Sequence, residues 1–160
     1  MPIAEWSDFF VATAGAAAGL VGLIIVAMSV NIETIVNIPS MPARAGTTIA
    51  SLVVVVVSAI AGLMPAIAEP VYGVIVGVVA LAGLGFALDS SVRIVRSGPS
   101  VATSLVKSII NILPMVTIAI GGALLAASVD AGLYAVAAGI LAVFITSVLS
   151  AWVLLVEIRR

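Results

Sequence analysis

Six polar residues stand where chemistry could be done in an otherwise apolar chain: Asn31, Glu33, Arg44, Lys107, Asn111 and Glu157. Carboxylates, cations and amides together can pair ions, pass an ion, or hold a polar partner. Ionisable groups that face the inside of a helix bundle mark such pathways. The plainer account is a belt of interfacial ion pairs and snorkelling side chains that sets the height of each helix. Lys107, Asn111 and Pro114 follow one another at spacings of three or four, so a helix places them on one side. Pro114 has no N–H for the carbonyl of Ile110. That makes Pro114 a candidate hinge and leaves a carbonyl beside Asn111 that could coordinate an ion, although a fixed kink is the simpler outcome. A lysine at the centre of a membrane helix costs roughly 2.5–3.5 kcal/mol. Lys107 lies a turn or two from the start of its segment and can reach the interface instead.

Other chemistries are excluded by what is missing. The chain has no Cys and no His. This removes disulfides, iron–sulfur clusters, thiolate or imidazole zinc sites, the usual haem ligands, and the Cys or His groups of covalent catalysis. No metalloprotease, serine hydrolase, P-loop or paired intramembrane aspartate pattern occurs. Ser and Thr within apolar runs are expected to bond a preceding carbonyl. No enzyme activity, cofactor or metal is expected. The basic residues are too few and too scattered to bind nucleic acid.

The elements that position these residues are membrane-spanning helices. Of 160 residues, 64% are hydrophobic and 8% charged, more apolar surface than a soluble domain can hide. Runs of 18 or more apolar residues recur. The expected fold is an all-α integral membrane protein, one domain over 1–160, with helices at about 7–30, 45–68, 71–95, 101–128 and 131–158. Pro39 and Pro42 break the chain before the second span, Glu69-Pro70 ends it, and Gly98-Pro99 stops the third. Leu88, Val92 and Val95 continue the helical spacing of the third span past the lipid boundary. The valine run at 53–57 is a poor helix former in water, but hydrocarbon leaves the backbone no other partner.

Charge gives the topology. With five spans, all six basic residues (Arg44, Arg93, Arg96, Lys107, Arg159, Arg160) fall on one side. The other side carries Glu5, Asp8, Glu69 and Asp130 and no Lys or Arg. By the positive-inside rule the N-terminus is outside and the C-terminus cytoplasmic. Trp6, Tyr72 and Tyr134 are expected at the outer interface and Trp152 nearer the inner one. The acidic start and long first apolar run do not read as a secretory signal peptide. The first two and last two spans could form an inverted repeat around the third, but no residue pattern supports one.

Small residues form three seams. In the first span Asp8, Ala12, Gly15, Gly19, Gly22, Val26, Ser29 and Glu33 share a face, a groove of missing side chains with a carboxylate at each end. The third span has Gly73-x-x-x-Gly77. The fifth has Gly132, Ala135, Gly139, Ala142, Thr146 and Ser150. Lipid supplies no hydrophobic drive between helices, so contact depends on the close approach that small residues permit. The seams serve packing within the protomer, or at least one faces a second copy. Asp8 reads as a carboxylate favoured by the dipole at a helix start. Only the inner end of the first groove, Glu33, joins the candidate polar cluster.

The opening W-S-D-F-F-V-A-T-A-G-A-A-A-G-L-V-G-L…S-V-N, the P-x-x-P-A-R-A after it, and the ending A-W-V-L-L-V-E-I-x-R resemble a family of small prokaryotic multi-span membrane proteins. The resemblance covers both ends, about a third of the chain. It draws attention to Asp8, Asn31, Arg44, Trp152 and Glu157, and implies no activity and no catalytic residues. The expected protein is a multi-pass, homo-oligomeric component of the cytoplasmic membrane. It is non-enzymatic and works through helix–helix association, with a basic cytoplasmic face for anionic lipid or a protein partner. The alternative is a small channel or solute transporter with an inner mouth at Glu33, Lys107, Asn111 and Glu157.

Overall fold

Between Ser7 and Val30 no proline occurs, and Asp8 is the last charge, so nothing interrupts the backbone ladder. In the computed structural model these residues form α1 (Ser7–Val30), entered through a short 3-10 turn, Ile3–Trp6. The structure describes residues 3–30, 32, 41–97 and 101–156. α2 (Met41–Gly62), α3 (Glu69–Ser97), α4 (Val101–Ala126) and α5 (Ala131–Val156) follow. All five helices are long and apolar enough to cross a membrane.

Proline moves two boundaries away from expectation. α2 starts at Met41 rather than 45, because Pro42 occupies its first turn, where the missing N–H has no partner to lose. It ends at Gly62 rather than 68. Leu63 and Met64 donate to the carbonyls of Ile60 and Ala61 at 3.1 and 3.2 Å, and Ala66 turns the chain with a φ of 55°. Pro65, not Glu69-Pro70, stands at the break. Glu69-Pro70 opens α3 instead, with the carboxylate in the dipole-favoured first turn and the proline where a helix start tolerates it. α4 closes as a paired C-terminal cap: Ser128 has a φ of 61°, and Ser128 and Val129 donate to Leu125 and Leu124, each at 2.9 Å.

Neighbouring helices run antiparallel, and α2 is the hub, packed against α1, α3 and α5. α4 lies against α3 and α5 in the two most extensive interfaces, and α5 returns to touch α1. Leu52, Val55, Val76, Ala80, Met115, Ile118, Ile140 and Val143 fill the common core. α2 is 56% buried over its apolar window and α1 only 22%, so α1 is the peripheral helix. The α1 start, the α2–α3 turn and the α4–α5 turn gather at one end. This is the acidic end, which has no basic residue in 1–8, 62–72 or 126–134.

Five aromatic rings pin that end. Tyr134 meets Trp6 at 5.1 Å, Trp6 meets Phe9 at 5.7 Å, Phe9 meets Phe10 at 5.9 Å, and Phe10 meets Tyr72 at 5.7 Å. Tyr72 is therefore no interfacial anchor: it is fully buried against Phe10. Tyr134 and Trp152 are exposed at opposite ends of α5, where an aromatic belt would have them.

Candidate functional site

The three small-residue seams do different things. Along α3 and α4 the backbones nearly touch. A Cβ on Gly122 would lie 2.7 Å from the Gly77 nitrogen and 2.9 Å from the Gly73 oxygen. One on Gly73 would collide with the Ala126 nitrogen. Along α4 and α5, a Cβ on Gly132 would sit 2.6 Å from the Gly121 oxygen. One on Gly139 would sit 2.5 Å from Ile118 Cγ1 and 3.0 Å from the Pro114 oxygen. Gly73, Gly77, Gly132 and Gly139 therefore sit in contacts inside the protomer.

On α1 the outcome is the reverse. A Cβ at Gly15, Gly19 or Gly22 would meet nothing within 4 Å among the described residues. Asp8, Ala12, Gly15, Gly19, Gly22, Val26 and Ser29 are all exposed. The buried residues of this helix are Phe10, Thr13, Ala17, Ile24 and Ala27. That set is offset from the glycine face by two residues, roughly 200° of helical rotation, so it lies on the opposite side. The bundle uses one side of α1 for packing and turns the groove outward. At its far end the Ser29 hydroxyl donates to the carbonyl of Ile25 at 2.9 Å, which leaves the surface smooth. Ser51, Thr117 and Thr146 make the same bond to a preceding carbonyl.

Of the candidate polar cluster, Asn31, Glu33 and Glu157 lie outside the described residues. Arg44 falls in the first turn of α2 and Lys107 in the early part of α4, which places both at the end opposite the acidic one. Asn111 is half-buried and Pro114 buried. α4 stays helical through Pro114, whose carbonyl faces Gly139 of α5.

Three features were not anticipated from sequence. A cavity of about 520 Å³ opens at the acidic end, lined by the 3-10 turn, the start of α1, the α2–α3 turn and Glu69. A second, of about 450 Å³, lies between α1 and α2 beside Ile25, Met28, Ser29, Ile32 and Ile49. Among the described residues, the hydroxyls of Ser58 and Tyr72 are buried with no hydrogen-bond partner. The α2–α3 turn forms the first cavity, and its Pro65 signal was masked by the stronger-looking Glu69-Pro70 pair.

Comparison with known protein families, curated proteins and solved structures finds no match. The geometry is therefore the only guide to function. It offers a smooth exposed helix face suited to close backbone contact and a cavity with one carboxylate.

Proposed function

We propose that this chain is a non-enzymatic, multi-pass protein of a prokaryotic cytoplasmic membrane that acts as a structural or regulatory subunit through helix association. Its N-terminus faces outward and its C-terminus the cytoplasm, an orientation supported by Arg44, Arg93, Arg96 and Lys107, which fall in the parts of α2, α3 and α4 opposite the acidic end. The basic end is the surface offered to anionic lipid or a protein partner.

The observation that carries this reading is the outward glycine face of α1. Gly62, Gly73, Gly121, Gly122, Gly132 and Gly139 permit contacts that a methyl group would block, whereas Gly15, Gly19 and Gly22, together on one face, are exposed and meet nothing among the described residues. The occupant is a second copy of the chain. A face whose middle turns carry only Ala12, Gly15, Gly19 and Gly22 complements itself there, and a two-fold axis along the membrane normal sets groove against groove. A right-handed crossing of about 40° at Gly19 would separate the two Asp8 residues by roughly 11 Å at ~1.5 Å rise per residue, about one Debye length. Their like charges then do not oppose the contact.

The chain has no native cysteine, so single-cysteine variants give a clean test. Gly15→Cys and Gly19→Cys are expected to cross-link between copies under mild oxidation in membranes, since a disulfide needs Cα atoms within about 7 Å. Ala17→Cys, fully buried on the opposite face, is expected not to. Gly19→Leu should shift the detergent-solubilised protein to monomer. Monomeric wild-type protein in mild detergent, with no cross-link at either glycine, would defeat the reading.

A further inference from the structure

We infer that the α2–α3 turn is seated in the membrane leaflet at the acidic end, at the boundary of acyl chains and headgroups, with lipid as the partner of Leu63 and Met64. This rests on the reading of the five helices as membrane spans. It goes beyond that reading, because a connection between spans ordinarily emerges into water. Turns that face water are rich in Asn, Asp and Ser. Residues 62–68 read G-L-M-P-A-I-A, with no polar side chain among them. The α4–α5 turn at the same end carries Ser128 and Asp130 instead.

Three features place lipid there. The first is exposure. Met64 is 54% exposed and Leu63 37%, Pro65 and Ala66 are exposed beside them, and Val71 continues the patch onto α3. A contiguous apolar patch of this kind marks a protein or membrane contact. A protein is the poorer fit, because the patch has no aromatic or arginine anchor to concentrate binding energy. The second is the backbone. Leu63, Met64 and Ile67 donate to the carbonyls of Ile60, Ala61 and Met64 at 3.1, 3.2 and 3.4 Å, and Pro65 has no N–H. Donors used within the turn are what a segment beside hydrocarbon requires. The third is depth. Arg44 and Glu69 bracket 24 uncharged residues. The helical part, Ala45–Gly62, has 18 residues and rises roughly 27 Å, against a hydrocarbon core of about 30 Å. With Arg44 at one boundary, the turn begins at the other. Ile3, Ala4 and Ser7 border the same cavity as the turn, which sets it level with Trp6 and its partner Tyr134, aromatics of the kind that mark a headgroup boundary. Seated there, the turn fixes the height of α2, the hub of the bundle.

The test is spin-label accessibility in the full chain reconstituted into lipid vesicles, with a label on Leu63→Cys or Met64→Cys. Both side chains are exposed, so neither change disturbs the core. Leu141→Cys, exposed in the middle of α5, is the reference for lipid, and Val129→Cys in the α4–α5 turn the reference for water. Labels at 63 and 64 should collide more often with oxygen, which partitions into acyl chains, than with a water-soluble nickel chelate, as at 141; the order should reverse at 129. In membrane fragments open at both faces, a water-soluble maleimide should react about tenfold more slowly at Met64→Cys than at Val129→Cys, the effect of a thiol pKa raised by about one unit in apolar surroundings. If the chelate dominates at 63 and 64 while 141 favours oxygen, the turn stands in water and this assignment falls alone. If the chelate dominates at 141 as well, the membrane reading falls with it. Collision with neither reagent at 63 and 64 would show the turn covered by protein, and would overturn the choice of lipid.

Discussion

Gly122→Ala and Gly19→Ala add the same methyl group to two of the long apolar helices and should have opposite effects on protomer stability. At Gly122 the new Cβ meets backbone, 2.7 Å from the Gly77 nitrogen and 2.9 Å from both the Gly73 oxygen and the Gly77 Cα. Ordinary contact between such atoms begins near 3.5 Å. α3 and α4 must therefore part by roughly 0.7 Å, and neither helix has a flexible side chain at that point to yield instead. Overpacking of this kind costs about 1–3 kcal/mol. The better helix propensity of alanine, up to ~1 kcal/mol in water, offsets part of it. At Gly19 the Cβ meets nothing, so only the propensity gain remains.

The contrast between the variants is thus about 2 kcal/mol, a factor of roughly 30 in the folding equilibrium. Thermal or denaturant unfolding in a non-ionic detergent reads it through Trp6 and Trp152. The protein must be dilute enough to keep the chain monomeric, so that association does not contribute. For a chain of this length 2 kcal/mol corresponds to about 4–8 °C in Tm. Gly122→Ala should lie below wild type and Gly19→Ala at or above it. Equal destabilisation of the dilute monomer by both variants would show that the α1 groove is filled from within, and the assignment of an outward face would fail.

Four further outcomes follow from the packing. Gly139→Leu should unfold the α4–α5 pair rather than release monomers, because its side chain would enter Ile118 and the Pro114 carbonyl; intact monomers would contradict this. Gly62→Ala should cost more than Gly83→Ala in Tm, since the first strikes the buried Phe10 ring at 2.6 Å and the second strikes Val54 Cγ2 at 2.7 Å and the adaptable Met115 sulfur at 3.2 Å. Tyr72→Phe should raise stability by about 1–2 kcal/mol, because it removes a buried hydroxyl that has no partner among the described residues; a fall in Tm would refute that. Asn111→Leu should leave proteoliposome ion flux at the level of empty vesicles, as should wild type; wild-type flux that this substitution abolishes would favour a channel instead.

The five helices were legible because hydrophobic runs and breakers are local properties. The α2–α3 turn was misplaced because two proline signals compete there. Pro70 carries the more conspicuous dipeptide, yet a proline in a helix's first turn loses no hydrogen bond, and Pro65 marks the turn instead. Tyr72 was misplaced for a related reason. Nearness to a span end predicts an interfacial aromatic, but the direction of one side chain depends on α1, which brings Phe10 against it. The acidic-end cavity could not be read at all, since its wall is assembled from three elements and no spacing within one of them encodes it.

The glycine seams show where sequence reading stops and why. Gly15-x-x-x-Gly19 and Gly73-x-x-x-Gly77 are the same pattern on helices of similar hydropathy, and either could pack inside or outside the protomer. What separates them is the opposite face. α1 carries Phe10, Thr13, Ala17, Ile24 and Ala27 on the side away from its glycines, and that side alone fixes it to the bundle. α3 is held by α2 on one side and needs a second neighbour, which Gly73 of α3 and Gly122 of α4 admit by letting α4 approach to backbone contact. A helix at the periphery of the bundle has one side to spare. When that side is built of glycine, which offers lipid less contact than any other residue and a second helix the closest approach, the association proposed above fits its composition.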